Sequence, residues 1–335
     1  MGNRKRERMS KMMMIDGLQY SHWSREVFEQ MREGGLSAVH VTIAYHELSR
    51  ETLQNIGQWN RMFEMHNDLI MPVHTAADIQ SAHAQNKVGI IFGFQNCSPI
   101  EDDIDLVAIF HQLGVRIMQL TYNNQSLLGA GCYEATDSGI SRFGKVVIAE
   151  MNRVGMVIDM SHSAEESTLQ AIEISQRPIV ISHANPTFFE PAKRNKSNKV
   201  LSALAESEGL LGFSMYPFHL KNGPKCRLDE FCTMVAETVD LMGIDRVGMG
   251  SDLCLNQPIS ILEWMRNGRW TKQMDYGEGS ANNAAWPEPL SWFETSADFP
   301  NIVLGLREKG FNEVEIEKIM GGNWLEFCAA GFGPR

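Results

Sequence analysis

No apolar run in these 335 residues approaches the roughly 18 needed to cross a bilayer, so a membrane-spanning helix is not expected. The basic opening MGNRKRERMSKMMMI carries an apolar run of only about four residues, too short for the core of a signal peptide. Gly2 would open a myristoylation pattern, but Arg6 stands where Ser or Thr is wanted, and the closing GFGPR lacks an anchor tail. Cysteine is sparse: six residues at irregular spacings without a CxxC pair, which suits free thiols in a reducing compartment better than a disulfide framework. Positive charge is also short, with 30 Lys and Arg against 41 Asp and Glu and a net charge of −11, which argues against nucleic acid as the main partner. Neither GxGxxG nor GxxxxGK[ST] follows the first apolar run, so no phosphate cradle is evident. Internal repeats and low-complexity tracts are lacking. From these absences a soluble, cytoplasmic chain is expected, with neither nucleic acid nor membrane as a partner.

What the chain does have is ample material for a core, 43% hydrophobic against 21% charged residues. Short apolar runs ending in Gly, Asp, Ser or Thr alternate with longer segments of helical period, the pattern of parallel βαβ units. The runs expected as strands are Met12–Asp16, Leu36–Ile43, Val88–Phe92, Val115–Thr121, Met156–Asp159, Ile179–Ser182, Leu210–Phe213 and Val247–Gly250. They are almost continuously apolar, as strands buried on both faces should be. Between them, SREVFEQMREGG offers Ser24 as N-cap and Gly34 as a stop, and EDDIDLVAIFHQLG, RFGKVVIAEMNRVG and LDEFCTMVAETVDLMG have apolar positions three and four apart.

Eight such strands predict a single (β/α)8 TIM-type barrel over residues 1–335, with 1–11 a flexible tail; an open doubly wound sheet is the runner-up. From Asn256 to about Asp298 the rhythm breaks into Trp, Pro, Gly, Asn and Ser without clear period. This is expected as a long excursion after the eighth strand, either a lid over the barrel mouth or a surface insertion.

Active sites of such barrels lie just beyond the C-terminal ends of the strands. There the fifth strand reads IDMSHS, the sixth IVISHAN and the eighth GMGSDL, which places His162, His183 and Asp252 at corresponding ends. Imidazoles on neighbouring strands, about 4.8 Å apart, can converge on one metal ion. Two ring nitrogens sharing Zn²⁺ at about 2.1 Å each would lie roughly 3–3.6 Å apart. A carboxylate across the mouth can then handle the proton of an activated water.

These same residues carry a resemblance. MNRVGMVIDMSHSAEES, RPIVISHANP with the downstream AKRN, VGMGSDL, FHQLGVRIMQLTYN and IMGGNWLEF are similar, in order and over nearly the whole chain, to motifs of the renal (membrane) dipeptidase family of the amidohydrolase superfamily. The resemblance implies a barrel hydrolase in which Arg194 and Tyr216 hold a substrate carboxylate, and it allows a homodimer. It also exposes departures. Where the family has a His and an Asp at the end of the first strand, this chain has Leu18 and Tyr20, with Asp16 kept as a structural residue. The metal-bridging glutamate after the third strand corresponds to Gln95, and the substrate-polarising histidine after the fourth to Tyr122.

With both carboxylate ligands missing, a binuclear site is not expected. One divalent metal, most simply zinc, is expected on His162 and His183, weakly bound or absent, with Gln95, water or Asp252 completing its shell. His22 is nearby in sequence but mis-spaced. Tyr122 and Gln95 together would line a neutral, hydrogen-bonding pocket suited to a cationic or zwitterionic small molecule. Arg194 has an alternative as part of a solvated basic loop with Lys193, Lys196 and Lys199. Two functions therefore stand: a dipeptidase-like metal-dependent hydrolase with Asp252 as general base and acid, or a non-catalytic barrel that binds a small molecule after losing metal.

Overall fold

The computed structural model describes residues 12–333. The expected N-terminal tail, residues 1–11, and the readings of its sequence lie outside the described residues. Nine strands form one parallel sheet: β1 (Met14–Gln19), β2 (Leu36–Ala44), β3 (Ile70–Pro72), β4 (Val88–Phe94), β5 (Val115–Gln119), β6 (Val157–Asp159), β7 (Val180–Ile181), β8 (Leu210–Phe213) and β9 (Val247–Met249). β1 pairs with β2 on one side and β9 on the other, and β2 pairs directly with β4, so eight of the strands close into a ring. The fold is the (β/α)8 barrel.

The ninth strand was not expected. β3 pairs only with the first residues of β4, Val88 to Ile90, while β5 takes over from Phe92 onward. Three residues ending in Pro72 are too short to announce themselves by period. The first strand also differs: it runs to Gln19 and not to Asp16, because the Gln19 amide donates to Asp16 (2.7 Å) and Ser296 (3.0 Å), which satisfies it inside the barrel. Every residue of β1, β2 and β4 is buried, as strands covered on both faces require.

Helices pack around the ring in sequence order. Ser24 caps α1 (Arg25–Glu33) by accepting from Val27 N, Ser141 caps α5 (Arg142–Val154) from Gly144 N, and Gly155 ends α5 at φ +80°. The intervening helices are α2 (Ser49–Met65), α3 (Ala76–Ala84) and α4 (Asp105–Gln112). α6 (Glu165–Ile174), α7 (Asn198–Glu206) and α8 (Leu228–Met242) follow. The expected excursion after the last strand contains a helix, α9 (Ile259–Asn267), followed by an irregular stretch before α10 (Phe299–Lys309). Bracketed by Pro258 and Gly268, α9 is short enough to hide in a segment rich in turn residues.

The bottom of the barrel is plugged by the C-terminal helix α11 (Asn323–Gly331), whose Trp324 packs among Ile15, Ile91, Ile117 and Val180 and donates from Nε1 to Met249 O (2.8 Å). At the top, β7, β8 and β9 are drawn together by glycine. A Cβ on Gly250 would lie 1.8 Å from Ser182 O, and one on Gly212 would lie 2.0 Å from it. That close approach is what brings the loops carrying His183 and Asp252 beside each other. Among the described residues no helix is long and apolar enough to cross a membrane, and all six cysteines are unpaired.

Candidate active site

His162 follows β6, His183 follows β7, Tyr216 follows β8 and Asp252 follows β9, all at the C-terminal ends of their strands. The two imidazoles meet at Nε2 to Nε2, 3.0 Å apart, at the near edge of the separation one shared ion requires. Their other nitrogens are fixed by hydrogen bonds. Nδ1 of His162 lies 2.6 Å from Asn123 Oδ1, an oxygen that can only accept, so Nδ1 donates. Nδ1 of His183 lies 2.7 Å from Ser182 Oγ, whose own hydrogen is committed to Asp159 Oδ2 at 2.5 Å; here too Nδ1 donates. A neutral imidazole carries one N–H, so both Nε2 atoms present lone pairs to each other.

A proton between them is disfavoured. Burial, with the positive charge of Arg194 beside both rings, holds each histidine well below its ordinary pKa. Two facing lone pairs, two depressed imidazoles and outer partners that fix the tautomers are the donor set of a metal site. The residues present therefore fit a divalent ion. Among the described residues no group of three or more His, Cys, Asp and Glu is placed to hold a metal, so the pair supplies two protein ligands where catalytic zinc sites use three.

Beside His162 lies a cavity of about 60 Å³ lined in part by Gln95, Tyr122, Tyr133, Arg194, Tyr216 and Asp252. Tyr122 stacks on His162, with centroids 4.1 Å apart and planes at 28°, and meets Tyr45 edge-on. Burial, with Asp252 nearby, keeps the Tyr122 phenol far above its ordinary pKa, so it serves as a neutral wall and not as a ligand. Gln95 is buried and donates its amide hydrogens to Thr42 Oγ1 (2.8 Å) and Tyr45 Oη (2.9 Å), leaving the carbonyl end for the cavity. Asp252 is pushed up to about 7, mainly by burial and further by Asp16, against the pull of Arg194. Its backbone sits at φ +60°, a left-handed conformation that Asp tolerates better than most residues, and its N–H bonds Leu18 O.

At the first strand, Leu18 is fully buried and offers no donor. Tyr20 lies edge-on to Tyr45, its phenol also pushed far up by burial. Asp16 is held by Ser251 N and Oγ and by Gln19, which makes it the structural residue expected. His22 is exposed and its backbone N–H pairs with Leu255 O; it stands apart from the cavity lining.

The model of the membrane dipeptidase family (peptidase family M19) matches residues 13–264. The chain belongs to that family. It is 26% identical over 282 residues to dipeptidase tcpJ of Claviceps purpurea (strain 20.1), covering 83% of this chain and 59% of that protein. To dipeptidase aclJ of Aspergillus oryzae (strain ATCC 42149 / RIB 40) it is 27% identical over 316 residues, covering 89% of this chain and 68% of the other. An amidohydrolase from Pseudomonas aeruginosa superposes with a TM-score of 0.92 at 35% identity over 98% of both chains. A Rhodobacter sphaeroides metallopeptidase, solved with a phosphinate mimic of L-Ala-D-Ala, superposes at 0.80 with 19% identity over 96% of this chain and 99% of that one, a likeness of fold.

In this member of the family the basic loop is only partly solvated: Lys193 and Lys199 are exposed, whereas Arg194 and Lys196 are buried. Arg194 is 2% and Lys196 3% exposed. The Arg194 guanidinium donates to the carbonyl of Ser161, which precedes His162, and at 3.1 Å to that of His183 itself, while Lys196 donates to Met160 O and Ser163 O. Arg194 thus ties the two histidine loops together as well as lining the cavity. Arg194→Lys should destabilise the fold by about 2 kcal/mol, because one ammonium cannot reproduce the two-pronged contact and charged hydrogen bonds are worth roughly 1.5–3 kcal/mol each. Urea unfolding of the two proteins measures it. If Arg194 also anchors a substrate carboxylate, free-acid substrates should lose more affinity in that variant than amide-capped ones.

Sequence reasoning missed Asn123 and the Ser182–Asp159 relay, although both adjoin residues it named. It also missed Glu278, Arg266 and Tyr133. Glu278 reaches in from the excursion to accept from Arg194 N (3.0 Å), and Arg266 of α9 joins the cavity wall. The absence of period in that segment hid both.

Proposed function

We propose that this chain is a metal-dependent hydrolase of small amide or dipeptide-like substrates, working with one divalent ion, most simply zinc, at His162 and His183. The observation that carries the reading is the pair of Nε2 lone pairs facing each other at 3.0 Å at the mouth of the barrel. A bound divalent ion there supplies Lewis acidity and makes water a usable nucleophile near neutral pH. The rest falls to the chain's own side chains. Asp252, with its pKa raised towards neutrality, takes a proton from the attacking water and returns it to the departing amine. Tyr216 and Arg194 orient a substrate carboxylate, and the neutral wall of Tyr122 and Gln95 keeps other charge away from the reacting bond. The dipeptidase names of the fungal relatives agree with this choice of substrate.

The test is turnover of a dipeptide panel by chelator-treated protein with and without added zinc. Zinc-dependent cleavage, lost in His183→Ala, is expected. Zinc binding without cleavage of any amide would turn the reading towards a small-molecule-binding barrel.

A further inference from the structure

The cavity beside His162, about 60 Å³, holds only a few waters at ~10–15 Å³ each, enough for a scissile amide but not for the side chains around it. Tyr216, Asp252 and Cys254 line that cavity and also one face of a second one, so the two share a wall. The second cavity is about 190 Å³ and is lined by Leu253, Leu255, Trp286, Pro287, Leu290 and Phe293 among others, with no lysine or arginine. Leu253 and Leu255 come from the loop after β9, whereas Trp286 to Phe293 come from the excursion.

We infer that this lobe is a specificity subsite that receives an apolar, benzene-sized side chain of the substrate. An apolar protein cavity of ~150 Å³ takes up benzene, so 190 Å³ admits a phenyl or branched aliphatic group. The walls are mostly apolar and offer no cation to an acidic side chain; Asp252 and Glu294 are the carboxylates that line it. A group seated there enters next to Asp252, which places the amide it is attached to in the smaller cavity. The excursion is then a specificity element: Trp286 and Phe293 shape which substrate fits. The inference deepens the hydrolase reading and rests on it for the word substrate, while the lobe's affinity for a phenyl group does not.

Two readouts separate those dependencies. Calorimetric titration with toluene reports the lobe alone, and kcat/KM for Ala-containing against Phe-containing dipeptides reports its use. Toluene should bind the zinc-loaded wild type and fail to bind Pro287→Phe, which fills the lobe from the excursion, and Leu255→Trp, which fills it from the barrel side. Phe substrates should exceed Ala substrates by roughly 10-fold or more in wild type, the worth of burying a phenyl side chain, and the two should fall within about 2-fold in the filled variants. Toluene binding blocked by the fillers, without cleavage of any dipeptide, would uphold the lobe and defeat the hydrolase reading. Dipeptide cleavage with no Phe preference and no toluene binding would do the reverse. Toluene binding that survives both fillers would also overturn the assignment of the lobe.

Discussion

Asp252→Asn is expected to lower kcat by about 10²–10⁴-fold while making the protein more stable above pH 7. The two effects share one cause. In the folded chain the Asp252 carboxyl is pushed up from 3.8 to about 7, chiefly by burial. The native state therefore holds its proton more tightly than the unfolded chain does. Folding is penalised once the carboxyl must ionise, so the penalty is absent below about pH 4, grows as pH rises, and is complete above the folded pKa. Each pKa unit is worth 1.36 kcal/mol; allowing for the partial exposure of Asp252 to the cavity, the relief in the asparagine variant should be about 2 kcal/mol at pH 8 and near zero at pH 4. Urea unfolding of metal-free protein at the two pH values, beside steady-state kinetics, measures both. A variant that keeps its kcat removes Asp252 from the chemistry. One that loses kcat without gaining stability at pH 8 removes the account of its pKa.

Gln95→Glu should raise zinc affinity at the histidine pair by at least about tenfold. A carboxylate brings a full negative charge to a buried divalent ion, where even at an effective dielectric near 20 a unit pair 4 Å apart interacts by roughly 4 kcal/mol. The surroundings can accept the change. The partners of the Gln95 amide are two hydroxyls, Thr42 Oγ1 at 2.8 Å and Tyr45 Oη at 2.9 Å, and a hydroxyl that accepts from an amide can turn and donate to a carboxylate. A second ion should still fail to bind, because Leu18 offers no ligand and the Tyr20 phenol is held neutral by burial. Calorimetric titration of wild type and variant decides it: an unchanged affinity would place Gln95 outside the metal's reach.

How much of this was readable in the sequence follows from what each residue's neighbours are. The barrel was legible because its strands are buried on both faces, which leaves near-continuous apolar runs that alternate with segments of helical period. His162, His183 and Asp252 were legible because a strand end is a position in sequence as well as in space. β3 was not, since three residues have no period. α9 was not, since its apolar spacing is only nine residues long between Pro258 and Gly268. The tautomers of the two histidines were beyond sequence reasoning altogether: they depend on Asn123, 39 residues from His162, and on the hydrogen bond that Ser182 donates to Asp159. Arg194 stood between a site residue and a solvated one until its carbonyl partners were seen, because a run with Lys193, Lys196 and Lys199 around it reads as surface.

The central claim is that the two facing imidazoles hold one divalent ion and no more. Its most direct measurement is the zinc content of the dialysed wild-type protein by elemental analysis after saturation, beside His162→Ala and His183→Ala treated alike. One zinc per wild-type chain, falling to none in either variant, is the result expected. Two retained ions per wild-type chain, or one that survives loss of either histidine, would contradict it, and so would a wild type that takes up no zinc at all.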